Sequence, residues 1–309
     1  VKKYELTDIT IEQSGVTLYR IRAVRAIKAL GIKKGDLGGY VEKGENLSQS
    51  GAAWISGNAS VSGDARVCGD ASVYGNARVY GDASVSGDAS VYGNASVYGN
   101  ARVSGNARVC GDARVYGDAS VYGNARVYGD ASVSGDASVS GNASVYGNAS
   151  VYGNARVYGD AWISGNASVY GNARVSGNAS VSGDARVCCD AWISGAAWIS
   201  GNASVCGDAR VYGNARVCGD ASVSGNARVY GNASVSGDAD IIWCSKIGLR
   251  LDTTTAFIEK DGGVKIVCGC FCGMLNEFER KVEETHGDNI YGKEYKAFIE
   301  LIKIHFGKV

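Results

Sequence analysis

Three cysteines, Cys268, Cys270 and Cys272, alternate with other residues near the C-terminal end of a 309-residue chain, and His286 follows them. Thiolates and neutral imidazoles are the usual ligands of a closed, four-coordinate zinc site. On one strand, where successive side chains point to opposite faces, the three thiols would share a face and His286 would complete the set. The spacing points the other way. Paired zinc ligands ordinarily flank a turn, and C-x-C-x-C along a strand has none. Thiols packed as small apolar groups under a helix explain the same residues. We expect no metal and no cofactor, with Cys268, Cys270, Cys272 and His286 as the alternative zinc set. Acid–base chemistry is equally sparse. His286 and His305 are the only histidines, and residues 51–242 hold 12 Arg and 15 Asp but no Lys, Glu or His. Proton transfer near neutral pH needs a group that titrates there, and Arg does not. No catalytic residue is expected, and the chain is expected not to be an enzyme.

The elements that must position everything else are set by a repeat. Thirty-two hexapeptides of the form G-[N/D]-A-[S/R]-V-[Y/S/C] run from Gly51 to Ile242 without insertion, as in Gly75-Asn76-Ala77-Arg78-Val79-Tyr80. A period this strict decides the fold class. Ala77 and Val79 alternate with Arg78 and Tyr80, so a strand turns its small and β-branched residues to one side. Gly and Asn/Asp then interrupt each strand, because both tolerate left-handed corners. The inward residues must keep facing one axis, so the chain coils. Three hexads, 18 residues, make one turn, and the whole is an all-β solenoid of parallel strands with about ten coils. One coil's narrow core cannot stand alone, so both ends need caps. Cys189 alone breaks the Gly column between Gly51 and Gly237, and a positive φ there would strain it.

An 18-residue register sorts the outward side chains into columns. Tyr80, Tyr98 and Tyr116 stack in one, with Tyr152 and Tyr170 further along. Tyr74 and Tyr92, then Tyr128 and Tyr146, stack in another. Trp162 and Trp198 flank Ser180 in a third set. Arg108 stacks on Arg126, a repulsion that Asp corners would offset. Cys188 and Cys206 lie one coil apart on one face, as stacked free thiols or as a bridge. Rings of this kind cover an exposed sheet. They also form a flat aromatic face suited to another copy or a partner.

Residues 1–50 and 243–309 lack the period. Lys3 to Glu12 and Val16 to Ile27 read as strands around Gln13-Ser14-Gly15, forming an N-terminal β cap. In the tail, Thr253 to Lys260 and Val264 to Phe271 read as a hairpin around Asp261-Gly262-Gly263. Leu275 to His286 reads as a helix ended by Gly287, with Leu275, Phe278 and Val282 on one face. Tyr295 to Phe306 reads as a second, with Phe298, Leu301, Ile302 and Phe306 apolar. This gives three domains: 1–50, 51–242, and a ββαα domain at 243–309.

The repeat resembles the hexapeptide-repeat, left-handed parallel β-helix family over 192 of 309 residues, and the left hand is implied by that resemblance. The entry stretch Leu18-Tyr19-Arg20-Ile21-Arg22-Ala23, with Lys34 to Val41 and Asn46-Leu47-Ser48, is similar to that of uncharacterised bacterial and phage hexapeptide-repeat proteins. So are the tail segments Thr253 to Phe257, Cys268 to Phe271 and Glu284 to Asn289. Such proteins are often labelled transferases on the strength of the repeat. Acyltransferases of the family use a His near a coil edge and often a projecting loop; residues 51–242 contain neither. The resemblance also implies that a face can trimerise.

A net charge of zero gives no footing for nucleic acid or an acidic membrane. No apolar run reaches spanning length, no signal peptide is visible at Val1-Lys2-Lys3-Tyr4, and ten scattered cysteines show no disulfide framework, so a reduced, cytoplasmic protein is expected. The leading expectation is a structural scaffold, self-associating through its Tyr-rich face as a trimer or higher assembly. The alternatives are a module that binds a macromolecular partner through the tail, and an acyltransferase.

Overall fold

In a computed structural model that describes residues 2–259 and 262–307, the chain forms two compact units, Val1–Gly165 and Asn166–Val309. Both are built on a parallel β-solenoid. Successive hexads contribute two-residue strands, from Trp54–Ile55 to Ser234–Val235. Each strand's partner lies 18 residues on. In the first unit Ser60 faces Arg78 and Arg78 faces Ser96. In the second, Ser168 faces Arg186 and Arg186 faces Ser204. Ala77, Val79 and their equivalents are fully buried. The ladder is shorter than the four residues of alternation because the flanking residues already bend into the corners. Corner glycines from Gly51 to Gly231 have φ between 61° and 77°. A Cβ on Gly183 would lie 2.9 Å from the amide nitrogen of Gly201, one coil on, so the corner excludes side chains by contact as well as by φ.

Outside the strand pairs, the inter-coil hydrogen bonds run one way: the N–H of residue i donates to the carbonyl of i+17, as Arg78 does to Ala95 and Asn76 to Gly93. The first coil is therefore left with open acceptors and the last with open donors. The N-terminal cap answers with donors. Strands β1 (Tyr4–Gln13) and β2 (Val16–Ala23) form an antiparallel hairpin, and β3 (Leu37–Val41) pairs with β2 on one side and with Ser60–Val61 on the other. Tyr40 N–H donates to Ala59 O, Glu42 N–H to Val61 O and Ser48 N–H to Val67 O. Side chains supply the rest. The Asn46 amide donates to Gly63 O and Ala65 O at 3.0 and 2.9 Å, and the buried Lys3 Nζ donates to Ala53 O at 2.7 Å. Loss of hydration, aided by the charge of Arg25, brings the Lys3 ammonium down to about 8.

The tail answers with an acceptor and a lid. Its sheet has four antiparallel strands, Ile241–Ile247, Asp252–Ile258, Val264–Cys268 and Phe271–Met274, where the sequence suggested a hairpin. Ile241 and Ile242, the last residues of the repeat, open this sheet. Thr255 Oγ1 accepts from Arg228 N–H at 3.1 Å, and Thr253, Thr254, Thr255 and Phe257 are buried. Lys260 and Asp261, in the expected hairpin, lie outside the described residues. Two helices cover the sheet, α1 (Leu275–His286) and α2 (Ile290–His305). Their shared core joins Phe278, Val282, Tyr295, Phe298, Ile299 and Ile302 to Ala256, Val264 and Ile266. Helix α2 starts five residues before the expected Tyr295, capped by Asn289, whose side chain accepts from Gly292 N–H at 2.9 Å. Leu301, read as one of the apolar residues of this helix, is exposed, whereas Ile299 is buried. No described helix is long and apolar enough to cross a membrane.

Candidate functional site

The outward columns form as the register requires. Tyr80 and Tyr98 stack with ring centroids 4.8 Å apart, Tyr98 and Tyr116 at 5.0 Å, Tyr74 and Tyr92 at 4.8 Å, and Tyr128 and Tyr146 at 5.0 Å. Tyr152, in the first unit, is exposed; Tyr170, in the second, is hydrogen-bonded to the Cys188 thiol. Trp162 ends the Tyr128–Tyr146 column edge-on, 6.2 Å from Tyr146. Trp198 is 45% exposed and carries the Arg216 guanidinium 5.3 Å above its ring. Tyr212 and Tyr230, stacked at 4.8 Å, and Trp192, whose indole N–H donates to Ser176 Oγ, belong to the third face and were not picked out from the sequence.

The corner residues are occupied by one another. Asn58, Asn76 and Asn94 pass amide hydrogen bonds down the column to Asp112, and Asn106, Asn124 and Asn142 do the same to Asp160. An Asn can accept from above and donate below, whereas an ionised Asp only accepts, so each run stops at its Asp. Arg108 does stack on Arg126, but among the described residues no ion pair joins a coil Arg to a corner Asp. The expected offset is therefore not made by contact there.

The cysteines fall differently from the one-strand arrangement. Cys268 ends one strand, Cys270 sits in the turn after Gly269, and Cys272 lies on the next strand opposite Val267. The positive φ of Gly269, 56°, makes that turn. The Cys268 thiol accepts from Thr254 Oγ1 at 3.1 Å and donates to Tyr295 Oη at 3.6 Å. Cys272 instead meets the hydroxyl of Tyr230, whose pKa is raised by burial first and by that bond second. Among the described residues no group of three His, Cys, Asp or Glu side chains is placed to hold a metal ion. Cys188 and Cys206 are free thiols, and burial pushes Cys188 up to about 11.

What the tail does build is a cavity of about 470 Å³ between α1, α2, the strand ends and the loop Gly248–Leu251. Its floor is aromatic: Phe278 lies 5.1 Å from Phe271 and 5.7 Å from Tyr295, and the His286 ring lies 5.5 Å from Tyr295. Burial, with the Cys268 contact second, raises the Tyr295 pKa, so this hydroxyl stays protonated. Leu249, Arg250, Asp252, Lys281 and Thr285 line the rim. The loop is held tightly. Gly248 N–H donates to Glu294 Oε2 at 2.7 Å, and a Cβ on Gly248 would collide with Tyr295 Oη. The backbone is strained just before the loop and at its end, with φ of 63° at Lys246 and 51° at Leu251, and the loop leaves Leu249 64% exposed. Of these residues the sequence singled out His286, Cys268 and Cys270 for chemistry. The others come from four separate segments, which no spacing pattern connects.

Nine windows of the repeat match the family model described as YdcK Beta solenoid repeat: residues 71–87, 95–110, 107–123, 119–135, 149–165, 167–183, 203–219, 209–225 and 221–237. Each window is about one coil long, and the matches span both units. No curated protein matches the chain. Among solved structures, the crystal structure of a provisionally named acetyltransferase from Desulfovibrio desulfuricans G20 is similar at 11% identity, covering 58% of this chain and 67% of that one, with a TM-score of 0.17. So low a score carries no argument about this chain.

Proposed function

We propose that this β-solenoid protein is a non-catalytic scaffold whose C-terminal domain is the recognising end. The observation that carries the reading is the contrast within the chain. In the repeats, inward residues fill the core, many corner amides and carboxylates bond to one another, and most tyrosine rings that touch another ring stack on a tyrosine one coil away. Asp112, Asp118, Asp160, Asp184, Asp190 and Asp220 each already accept an Asn amide from the preceding coil. A carboxylate used this way is turn chemistry and not a free base. The tail adds a concave cavity floored by three rings, Phe271, Phe278 and Tyr295, with charged groups at its rim, the usual form of a recognition site, whereas the hollow beside Trp192 in the repeats holds a single ring among Arg and Asp side chains.

Calorimetric titration of the full chain with acetyl-coenzyme A checks the non-catalytic part of this reading. We expect no binding heat. Micromolar affinity would return the chain to the acyltransferases and overturn the proposal.

A further inference from the structure

The tail cavity combines features that packing alone does not call for. We infer that it binds a small amphipathic organic anion: an aromatic or aliphatic body with one carboxylate and a neighbouring hydrogen-bond donor. This rests on the reading that the C-terminal domain is the recognising end.

The lining specifies each part of that ligand. Phe271, Phe278 and Tyr295 present a continuous aromatic floor, with successive centroids 5.1 and 5.7 Å apart. Such a surface takes up an aromatic or branched apolar body. Among the lining residues Arg250 and Lys281 are the cationic side chains and Asp252 the carboxylate, with Glu284 beside Lys281 just outside the lining. Among the described residues Arg250 has no ion pair or side-chain hydrogen bond. The closest carboxylate oxygen paired with Lys281, on Glu284, is 3.8 Å away, beyond hydrogen-bond length. Arg250, without such a partner, and Lys281, paired only loosely with Glu284, place cationic groups beside an apolar cavity and favour an anion, and a charge-assisted bond to Arg or Lys is the strong kind. The Asp252 carboxylate also makes no side-chain hydrogen bond or ion pair among the described residues. An anion without a donor would face it unfavourably, whereas a hydroxyl or ammonium beside the ligand's carboxylate would satisfy it. A wholly apolar occupant would strip water from Arg250 and Asp252 and give them nothing in exchange.

Three probes sharing a phenyl body separate these contributions in titrations of the full chain: 3-phenyllactate, 3-phenylpropanoate and 2-phenylethylamine. We expect 3-phenyllactate to bind most tightly, 3-phenylpropanoate more weakly, and the amine not at all. Arg250→Ala with Lys281→Ala, both on exposed side chains, should weaken 3-phenyllactate at least tenfold without changing the melting temperature. Asp252→Asn should narrow the gap between the two acids. Amine binding as tight as acid binding, or acid affinity untouched by the double substitution, overturns the inference. Silence from all three probes also overturns it, yet leaves the recognising end standing for a macromolecular partner. Micromolar acetyl-coenzyme A binding instead removes the reading beneath it.

Discussion

At the residue scale, the repeat is best understood through the position that departs from it. Cys189 occupies a corner where every described neighbour in the column is glycine, and it adopts the same φ, 60°. A left-handed conformation costs an ordinary residue roughly 1–2 kcal/mol. Its Cβ also projects toward the next coil. The bond from Asp190 N–H to Gly207 O is 3.1 Å, against 2.7–3.0 Å at the other described corners. Glycine would gain unfolded-chain entropy and so lose roughly 0.4–1 kcal/mol of the benefit. Relief of the strain outweighs that loss, so Cys189→Gly should stabilise the protein by about 1 kcal/mol or slightly less, read as a higher urea midpoint at unchanged slope. An unchanged or lower midpoint would mean that the corner accepts a side chain freely.

At the element scale, the caps follow from the polarity of the hydrogen-bond ladder, and Lys3 is the extreme case: a lysine used, buried, as a backbone donor. Its ammonium titrates at about 8 when folded, against about 10.5 in the unfolded chain. Between those values the unfolded state holds more protons, so this group's contribution to stability rises with pH across the window and is least favourable below about 8. Urea melts of the wild type and of Lys3→Met should therefore diverge in the wild type's favour from pH 8 to pH 10. Tyr4, held up to about 12 by burial, opposes this only above about 10 and is common to both proteins. A constant difference across the window would refute a buried, proton-shedding Lys3. The sequence called for caps and placed the N-terminal hairpin, but the donors that Lys3 and Asn46 supply were not legible in it. Caps have no period, and the need for donors at one end appears only once the ladder's direction is known. Other misses are equally local. Gly292 disguised the first turn of α2, although a Cβ there would collide with Gly287 O, so that turn requires it. Gly269 hid a strand break between Cys268 and Cys272. Where local chemistry repeats, as in Ala-x-Val and Gly-Asn, the fold could be read directly; where tertiary contact decides, as around the cavity, it could not.

At the scale of the whole molecule, the question is which surfaces remain for assembly. The open acceptors at the start of the solenoid are covered by β3, Asn46 and Lys3, and at the other end Thr255 takes up the Arg228 donor under the tail sheet. These contacts cover exposed backbone groups at the ends, which is how open sheet edges are ordinarily kept from associating. The lateral faces are left. Of these, the run Tyr80, Tyr98 and Tyr116 is the longest unbroken aromatic stack among the described residues, with ring planes within 2° of parallel. Within the stack each ring shields its neighbours, yet the outer edges stay open, and Tyr80 is 38% exposed. Flat, preordered aromatic area binds with little loss of side-chain freedom, so a second copy is the natural cover. Light scattering on a sizing column should give a mass that is a multiple of 32.0 kDa. Replacing all three tyrosines by Ser, the residue the repeat itself carries at Ser62 and Ser134 in this column, should return the 32.0 kDa species with the fold intact. A wild type that already elutes as a monomer would leave the stacks with a role in stability alone, and would make the C-terminal domain the molecule's remaining candidate surface for contact.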